Sequence, residues 1–380
     1  MKVLMITPSF FPIVGGTERV VQDLAFELNK YGIHTDVMTF NMDEKWNPVW
    51  KEEIKQDGLR VFRVPAINVF SKMRINPLAI LSGTHVLPKL SFVKRLRDYD
   101  LLHFHDDVDL SFSVFSWFVK RPKIFQCHTL AGTYPYYKSS YFPRKILNKV
   151  ANYYICVSNA AKKLLVDLDV PESEIFTLPN GVDTEKFKKN QAERIDNSIL
   201  YAGRIIKPKG LHVLLDALEY LDIPVCLKIA GPKQEQGYLE KNLSRKGKQK
   251  MGIHEVEWLG SVDQEKIVRV YQQASVFVNP TLREDFGIVN LEALSCETPV
   301  IASDTMGLNE VIRNGVNGIL VQPNNPRQIA NALKKLLENK GLRKKYGRNG
   351  RRMIKAHFSW DSIAREAVKI YEKVIKMEKN

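Results

Sequence analysis

The sequence predicts an α/β protein with two domains, each built around a parallel sheet. Three observations lead to this expectation. The first 40 residues contain an apolar strand, a glycine loop, an amphipathic helix and a second strand, which is the βαβ pattern of parallel sheets. The same pattern restarts near residue 198. A chain of 380 residues is also long enough for two domains of ordinary size.

The composition is typical of a basic globular protein. Hydrophobic residues form 44% of the chain, yet no apolar run approaches the roughly 18–20 residues that a membrane span needs. The apolar stretch at the N-terminus is too short for a signal peptide and is predicted to be the first strand. The net charge of +15 indicates an anionic partner, such as a nucleotide, a phospholipid surface or a nucleic acid.

The cysteines are scattered through apolar surroundings and form no C-x-x-C pair. Buried free thiols are therefore expected, in preference to disulfides or a metal site, and free thiols favour a cytoplasmic protein. The four cysteines are Cys127, Cys156, Cys226 and Cys296.

The first βαβ unit carries a glycine pair between its first strand and its helix. Strands are predicted at residues 3–6 and 35–40, and Gly15-Gly16 ends the loop that follows the first of them. Thr17 is the predicted N-cap of the helix. Paired glycines let a backbone come close to a ligand, although the full G-x-G-x-x-G pattern is absent here.

A histidine lies at the carboxyl end of a later predicted strand. His128 follows the strand at residues 123–127. Because ligands of open α/β sheets bind at the carboxyl ends of the strands, His128 is a candidate ligand contact, with a structural histidine as the alternative. Asp107-Val108-Asp109 spells D-x-D, which holds a metal in some enzymes. This spelling is common by chance, and we expect no metal.

Residues 72–97 combine apolar residues at helical spacing with interleaved lysines and arginines. A basic amphipathic helix can lie on an anionic membrane. The alternative is a surface helix packed on its own domain, which we favour.

The second domain begins with a basic loop between a strand and a helix. We place the domain boundary near residue 182, followed by a polar linker and a strand at residues 198–202. The next residues include Gly203, Arg204 and Lys209, and a helix follows. Arg204 can hold a phosphate through two donors, and Lys209 supplies a compact charge. The pattern predicts a phosphate-binding loop, with a merely solvated basic loop as the alternative.

A second loop of this domain carries paired carboxylates. A strand at residues 275–278 ends at Pro280, and Gly287 permits a tight turn before a helix with one apolar side. The N-terminus of a helix favours an anion. Glu284 lies in the loop and Glu292 just over one turn into the helix. Ionised carboxylates accept hydrogen bonds from hydroxyl groups, and hydroxyls on both sides of a diphosphate occur in nucleotide sugars. Acids that are only solvated are the alternative.

Outside these loops the pattern predicts elements without a functional role. Strands are expected at residues 225–230 and 256–260, a solvated basic helix at 241–250, and a basic helical region at 328–357. A last helix is predicted from Ser359 to about Lys376.

Four motifs together resemble one enzyme family. The run Glu284-x-Phe286-Gly287-x-x-x-x-Glu292 resembles the E-x7-E signature of the retaining glycosyltransferases of family four. The run at residues 297–301, E-T-P-V-I, is similar to that family's G-x-P-V-V/I run, with Glu297 or Cys296 where glycine is usual. The other two motifs are G-R-x-x-x-x-K-G at residues 203–210 and P-N-G-V-D at residues 179–183. The resemblance covers nearly the whole chain and is strongest over residues 198–323.

The resemblance implies the GT-B fold, in which two Rossmann-like domains with parallel sheets face each other across a cleft. It implies an acceptor-side domain at residues 1–182, a nucleotide-sugar-binding domain at 183–358, and a helix at 359–380 that crosses back to the first domain.

The resemblance also implies roles for individual residues. Glu292 would hold the ribose hydroxyls, and Glu284 and His128 would contact the transferred sugar. Arg204 and Lys209 would bind the diphosphate, which Gly15-Gly16 would face from the first domain. The predicted donor site is completed by Gly203, Phe286, Gly287 and Ile288.

The predicted function is retaining transfer of a sugar from a nucleoside-diphosphate sugar to a glycan or lipid-linked acceptor, giving an α-linkage without a metal or cofactor. A cytoplasmic location is expected, with the inner face of the membrane as a possible contact surface. Two alternatives stay open: another GT-B enzyme, such as a nucleotide-sugar epimerase, and a basic nucleic-acid-binding protein. The chain contains no recognised nucleic-acid motif, so we expect no nucleic-acid partner.

Overall fold

The chain forms two compact units in a computed structural model that describes residues 1–13, 15–42, 53–56, 58–68, 86–105, 112–128, 150–190, 194–233 and 247–379. Unit 1 comprises Met1–Asn180 and Trp360–Asn380, and unit 2 comprises Gly181–Ser359.

The strands are β1 Lys2–Ile6, β2 His34–Phe40, β3 Glu53–Gln56, β4 Leu59–Val64, β5 Ala66–Asn68, β6 Val86–Pro88, β7 Leu101–Phe104, β8 Lys123–Cys127, β9 Tyr153–Cys156, β10 Ile175–Thr177, β11 Ser198–Ala202, β12 Cys226–Ala230, β13 Gly247–Met251, β14 His254–Gly260, β15 Val276–Asn279, β16 Val300–Ser303 and β17 Gly318–Val321. The helices are α1 Gly16–Lys30, α2 Phe92–Leu96, α3 Ser113–Ser116, α4 Asn159–Val166, α5 Leu211–Leu218, α6 Gln264–Gln273, α7 Ile288–Ser295, α8 Leu308–Val311, α9 Pro326–Leu337, α10 Lys340–His357 and α11 Trp360–Met377. Single 3-10 turns occur at Glu172–Glu174 and Lys207–Lys209.

Among the described residues, each unit contains one large and mainly parallel sheet. The order in unit 1 is β10-β9-β8-β7-β1-β2-β4-β3, and the order in unit 2 is β13-β14-β12-β11-β15-β16-β17. The antiparallel pairs of these two sheets are β3–β4 and β13–β14, both at a sheet edge. Strands of parallel sheets are covered on both faces and are therefore almost continuously apolar, as in Val3-Leu4-Met5-Ile6. The predicted fold class of two Rossmann-like α/β domains is confirmed.

The last helix packs on the first helix within unit 1. The side chain of Trp360 donates a hydrogen bond from Nε1 to Asp23 Oδ2 at 3.1 Å, and the Tyr31 hydroxyl donates to Asp361. Helix α1 buries Val20, Leu24 and similar residues of its apolar stripe. Residues 360–377 therefore complete the helix layer of the unit in which the chain began.

The start of helix α1 differs from the sequence prediction. Gly15 is the N-cap residue, with extended backbone and no side-chain cap, and the helix begins at Gly16. Thr17 was predicted as the cap but lies inside the first turn. Because Gly15 has no side chain, the glycine pair and not a threonine hydroxyl marks this helix start.

The predicted helix at residues 241–250 is wrong at its described end. Residues Gly247–Met251 form the edge strand β13, paired antiparallel with β14 through a short turn at Gly252, whose φ is +59°. Residues 241–246 lie outside the described residues. A polar edge strand has no apolar period, so its sequence could not distinguish it from a solvated helix.

The basic region at 328–357 forms two helices and not one. Helix α9 ends at Leu337, and Asn339 caps α10 by accepting a hydrogen bond from the Leu342 N–H at 2.8 Å. The Asn339 side chain bonds to the backbone in place of a helical carbonyl, so one helix ends before it and the next begins after it.

The basic segment at 72–97 is described only from residue 86 onward. There α2 buries Phe92 and Leu96 in the core of unit 1, as expected for a helix packed on its own domain. No helix in the described ranges is both long and apolar enough to cross a bilayer. All four cysteines are free thiols, and Cys127, Cys156 and Cys296 are buried.

Candidate functional site

Two loops of unit 2 leave the sheet at the same edge. The basic loop, residues 203–210, follows β11, and the acidic loop, residues 280–287, follows β15. Strands β11 and β15 are parallel neighbours, so their carboxyl ends meet at one edge of the sheet. The topology therefore brings together the two loops that the sequence analysis singled out separately.

The two loops are in direct contact through their backbones. The Leu282 N–H donates to the Pro208 carbonyl oxygen at 2.8 Å, and the Thr281 hydroxyl donates to the same oxygen at 3.1 Å. Gly210 has a φ of +70°, and a Cβ at this position would overlap the carbonyl of Pro280. Only glycine satisfies both conditions, so Gly210 allows the backbones of the two loops to pack closely.

A third loop supports the basic loop from the other side. The Gly203 N–H donates to the Ala230 carbonyl oxygen, and the Ile205 N–H donates to the Pro232 carbonyl oxygen, both at 2.9 Å. A Cβ at Gly231, where φ is +147°, would overlap the carbonyl oxygen of Gly203. The backbone of the basic loop is thus held by neighbours on both sides.

An ion pair joins the charged side chains of the two loops. Lys209 Nζ lies 2.5 Å from Glu284 Oε2, and the two side chains are 23% and 18% exposed. Arg204 is exposed at the start of the basic loop, and its carbonyl oxygen accepts a hydrogen bond from the Tyr201 hydroxyl at 3.0 Å. The predicted phosphate ligands and the predicted sugar ligand therefore lie on adjoining loops.

Helix α7 starts directly after the acidic loop. Gly287 is its N-cap residue with a φ of +75°, and an added Cβ would lie 2.6 Å from Asn290 Nδ2 and 2.7 Å from a methyl group of Leu308. Phe286 is 3% exposed, with its ring 5.9 Å from that of Phe358. The first N–H groups of a helix have no partner inside it, and with Ile288 at its first position α7 presents the positive end of its dipole here.

Helix α7 is buried on nearly all sides, whereas the sequence predicted an amphipathic helix. Every residue from Asn290 to Ser295 is buried. The helix packs against β15, β16, α6 and α10, and its half-buried residues are Ile288 and Val289 in the first turn.

Glu292 is a buried carboxylate with a fixed hydrogen-bond donor. It is 6% exposed, and the buried Tyr271 hydroxyl of α6 donates to its Oε2 at 2.8 Å. Burial, together with the charge of Glu292, raises the pKa of the Cys296 thiol to about 12. Tyr271 could not be found from the sequence, because nothing local connects it to a residue 21 positions later.

The two glycines of the pair in unit 1 differ in their surroundings. The Ser9 hydroxyl donates to the Glu18 carboxylate, and a Cβ at Gly15 would overlap that carboxylate. Apart from its chain neighbours and its own helix backbone, a Cβ at Gly16 would meet no atom of the described residues within 4 Å. A side chain at position 15 would therefore displace the Glu18 carboxylate, whereas the described residues leave room for one at position 16.

His128 lies at the carboxyl end of β8 and contacts a second histidine. It is half-buried, and its Nε2 lies 3.2 Å from Nδ1 of His105, which follows β7. His103 Nδ1 lies 2.8 Å from the hydroxyl of Tyr371 in α11. Burial lowers the pKa of His103 to about 3 and that of His105 well below its ordinary value. From the sequence, a role was predicted for His128 alone. The spacing of His103 and His105 at the end of a strand was a signal that could have indicated the other two.

The predicted site residues fall into one group in each unit. Within the described ranges, no three His, Cys, Asp or Glu residues are placed to hold a metal ion, and Asp107 and Asp109 lie outside those ranges. Unit 1 carries Gly15, Gly16 and His128. Unit 2 carries Gly203, Arg204, Lys209, Glu284, Phe286, Gly287, Ile288 and Glu292.

Two family models match adjoining parts of the chain. The model described as Glycosyl transferases group 1 matches residues 182–353, and the model described as Glycosyltransferase Family 4 matches residues 14–186. An uncharacterized glycosyltransferase of Methanocaldococcus jannaschii is 28% identical, with 99% of each chain covered. A phosphatidyl-myo-inositol mannosyltransferase of Mycobacterium leprae is also 28% identical, over 98% of this chain and 97% of the relative.

Solved structures are similar over nearly the full length. The Anabaena protein Alr3699/HepE in complex with UDP-glucose has a TM-score of 0.77 and 20% identity, covering 98% of this chain and 100% of that one. Sucrose-phosphate synthase from Thermosynechococcus elongatus has a TM-score of 0.76 and 21% identity, with 99% of each chain covered. These similarities support the fold of both units.

Proposed function

Since the chain belongs to the glycosyltransferases of group 1 and family four, we propose that it transfers a sugar from a nucleoside-diphosphate sugar with retention of configuration, giving an α-linkage. The observation that carries this proposal is the contact between the basic and acidic loops at one edge of the unit 2 sheet. Side chains suited to phosphate and side chains suited to hydroxyl groups lie next to each other there. A nucleotide sugar carries both kinds of group.

The proposed role of the basic loop is to stabilise the leaving group. Negative charge grows on the diphosphate as the bond to the sugar breaks. Arg204 and Lys209 would balance that charge, helped by the N–H groups at the start of α7. The backbone contacts hold the loop that carries these donors in place before the reaction. The proposal includes no metal ion or other cofactor.

The proposed role of the carboxylates is to bind hydroxyl groups on either side of the diphosphate. Glu292, held by Tyr271, would accept hydrogen bonds from the ribose. Glu284 would accept from the transferred sugar. We propose that the Lys209–Glu284 ion pair opens when the donor binds, so that Lys209 contacts phosphate and Glu284 contacts a hydroxyl.

Unit 1 enters the proposal through His128 and the glycine pair. His128 would contact the transferred sugar, and Gly15-Gly16 would face the diphosphate. The room left around a Cβ at Gly16 supports this role, because glycine at that position is not required by the packing of the described residues.

The proposed acceptor is a glycan or a lipid-linked molecule. Similar proteins are named for such acceptors, among them the phosphatidyl-myo-inositol mannosyltransferase. The proposal includes a cytoplasmic location, with peripheral contact to an anionic membrane surface when the acceptor is a lipid. At low salt the protein should bind anionic vesicles but not zwitterionic vesicles. Failure to bind anionic vesicles would contradict the membrane contact.

A donor screen tests the proposed function. The protein is incubated with UDP-glucose, UDP-GlcNAc, UDP-galactose or GDP-mannose, and thermal shift and release of nucleoside diphosphate are measured. One donor should stabilise the protein, and Glu292→Gln and Arg204→Ala should abolish that shift. Arg348→Ala removes the same charge from an exposed position of α10 and serves as the matched control. Stabilisation that survives in Glu292→Gln and Arg204→Ala would contradict the proposed donor site.

The product identifies the reaction. Once an acceptor is found, the anomeric proton coupling of the product should show an α-linkage from an α-linked donor. A β-linked product would contradict retention. Formation of an epimerised nucleotide sugar without any acceptor would favour the other GT-B activity instead.

A further inference from the structure

Four ring side chains form a continuous row in unit 1, which we call the histidine row: Tyr371, His103, His105 and His128. It begins in α11, where the Tyr371 hydroxyl lies 2.8 Å from His103 Nδ1. The rings of His103 and His105 have centroids 4.1 Å apart. His105 Nδ1 lies 3.2 Å from Nε2 of His128. The row therefore connects the C-terminal helix to the residue proposed to contact the sugar.

The interior of the histidine row is buried and neutral. Tyr371 and His103 are 0% exposed and His105 is 1% exposed. A charged imidazole without a carboxylate partner is unfavourable in such surroundings. Burial lowers the pKa of His105 well below its ordinary value, and the neighbouring rings of His103 and His128 lower it further. His105 therefore carries one ring proton at neutral pH.

The position of that proton follows from the hydrogen-bond partners. His105 Nε2 is buried and has no hydrogen-bond partner among the residues that the structure describes. A proton on Nε2 would leave a buried N–H without an acceptor, whereas a proton on Nδ1 is used in the contact with His128. Buried N–H groups without a partner are rarer than buried acceptors without one. The Nδ1–H form of His105 is therefore favoured, and His105 donates to His128.

We propose that His105 is a positioning residue that holds His128 as its Nδ1–H tautomer, with the His128 Nε2 lone pair engaged by His105. In this form His128 can act on a substrate as a hydrogen-bond donor through Nδ1, and it cannot use Nε2 to accept a proton. The role toward the transferred sugar rests on the proposed function, whereas the position of the proton does not. The state of one ring nitrogen is set by the hydrogen bond that the other makes.

The rest of the row holds His105 in place. Tyr371 fixes His103 through its hydroxyl, and the ring of His103 packs against the ring of His105 at an interplanar angle of 43°. His105 lies just beyond the end of β7, where its N–H donates to the Ile6 carbonyl oxygen at 2.8 Å. Backbone and side-chain contacts thus restrict the ring that orients His128.

The first test is a two-bond proton–nitrogen NMR correlation spectrum of protein labelled with 15N-histidine. The chain has eight histidines, and the spectrum of His128→Gln assigns the His128 signals. We expect His128 to be protonated at Nδ1 in the wild type and to gain the Nε2–H form in His105→Leu. His254→Leu removes a buried histidine of unit 2 and should leave the His128 signals unchanged. A wild-type His128 protonated at Nε2 would overturn the inference.

The second test separates positioning from a structural role. His105→Leu should lower kcat about tenfold, the effect of one neutral hydrogen bond, with the donor KM within about twofold. His105→Asn, whose side-chain amide can donate from nearly the same place, should restore most of kcat. Because leucine also removes a buried acceptor without a partner, the Tm of His105→Leu should not fall. A lower Tm with unchanged kcat, or no recovery with asparagine, would overturn the positioning role.

The two tests also separate this inference from the proposed function. The NMR measurement needs no substrate, so a protein inactive with every donor can still have the predicted His128 tautomer. That outcome would count against the proposed function and support the assignment of the proton. An active transferase whose His128 carries Nε2–H would support the function and overturn the inference.

Discussion

The candidate residues of the two units are held in opposite ways. In unit 2 the charged side chains of two loops are partly exposed and pair with each other, while glycine contacts fix the backbones beneath them. In unit 1 the candidate histidine is attached to a buried row of neutral rings. Unit 2 thus carries charge both in partly exposed loops and in the buried Glu292, whereas the candidate histidine of unit 1 contacts buried neutral rings. Under the proposed function, unit 2 would supply electrostatic stabilisation and unit 1 would supply hydrogen-bond geometry.

Removing a cation should have the largest effect if the unit 2 loops stabilise a leaving group. Arg204→Ala is expected to lower kcat by a hundredfold or more, since one preorganised donor is worth roughly 3–4 kcal/mol. Its Tm should stay within one degree or so of the wild type, because Arg204 is exposed. Steady-state kinetics and thermal unfolding measure both quantities, with Arg348→Ala as the control. Equal kcat values for the two variants would contradict electrostatic stabilisation by the unit 2 loops.

Acid should affect unit 1 through its neutral histidines. The pKa of His103 is about 3 in the folded state, so below pH 6.5 the unfolded state binds a proton that the folded state does not. The contribution of this neutral histidine to the free energy of unfolding is therefore fully present above about pH 6.5. It decreases at lower pH, by about 1.4 kcal/mol per pH unit for one such histidine.

The measurement is urea unfolding of wild type and His103→Leu between pH 6.5 and 5.5. The slope of the unfolding free energy against pH should be smaller in His103→Leu, by about half a proton at pH 6.5 and nearly one proton at pH 5.5, because an unfolded histidine titrates near pH 6.5. The two proteins will differ in absolute stability, and only the slope bears on the histidine. Parallel pH profiles would show that the row is not neutral.

A hydrogen bond to a buried charge should have an intermediate effect. Tyr271→Phe removes the donor to Glu292 and is expected to destabilise the protein by about 1–3 kcal/mol. Donor binding should weaken as well, because the carboxylate loses its fixed orientation. Urea unfolding and donor titration measure the two effects, and the exposed Tyr220 provides the control Tyr220→Phe. Unchanged stability would mean that Glu292 does not depend on this contact.

The smallest effect on stability is expected at Gly16. Gly16→Ala adds a methyl group where no described atom lies within 4 Å and replaces a poor helix former, so stability should be unchanged or rise by a few tenths of a kcal/mol. If a diphosphate approaches this backbone, the donor KM should rise nonetheless. Gly15→Ala provides the contrast, because its Cβ would displace the Glu18 carboxylate, which accepts a hydrogen bond from Ser9. An unchanged KM in Gly16→Ala would contradict the predicted diphosphate contact.

The sequence predicts well those features that depend on local chemistry. Buried parallel strands such as β1 and β15 are almost continuously apolar, and the turn before α7, where φ is positive, contains Gly287. The predicted positions of Glu284 in a loop and Glu292 inside a helix agree with the structure. Ser158 caps α4 by accepting a hydrogen bond from the Ala161 N–H, which also follows from its position after a strand.

Features that depend on distant contacts were not accessible from the sequence. The hydroxyl of Tyr271 meets Glu292 because α6 packs on α7, and no periodicity reports that contact. The Gly210 backbone meets Pro280 only because β11 and β15 are neighbours in the sheet. His105 meets His128 for the same reason, through the pairing of β7 with β8. Strand order, more than composition, decides which polar groups become partners.

The connectivity of the chain has a consequence for its synthesis. Unit 2 is one continuous insertion, and unit 1 is completed by Trp360–Met377, which pack on α1. Unit 2 can therefore fold on the ribosome as soon as its last residue emerges, whereas unit 1 must wait for almost the entire chain. Until α11 emerges, the surface of α1 that packs against it stays uncovered.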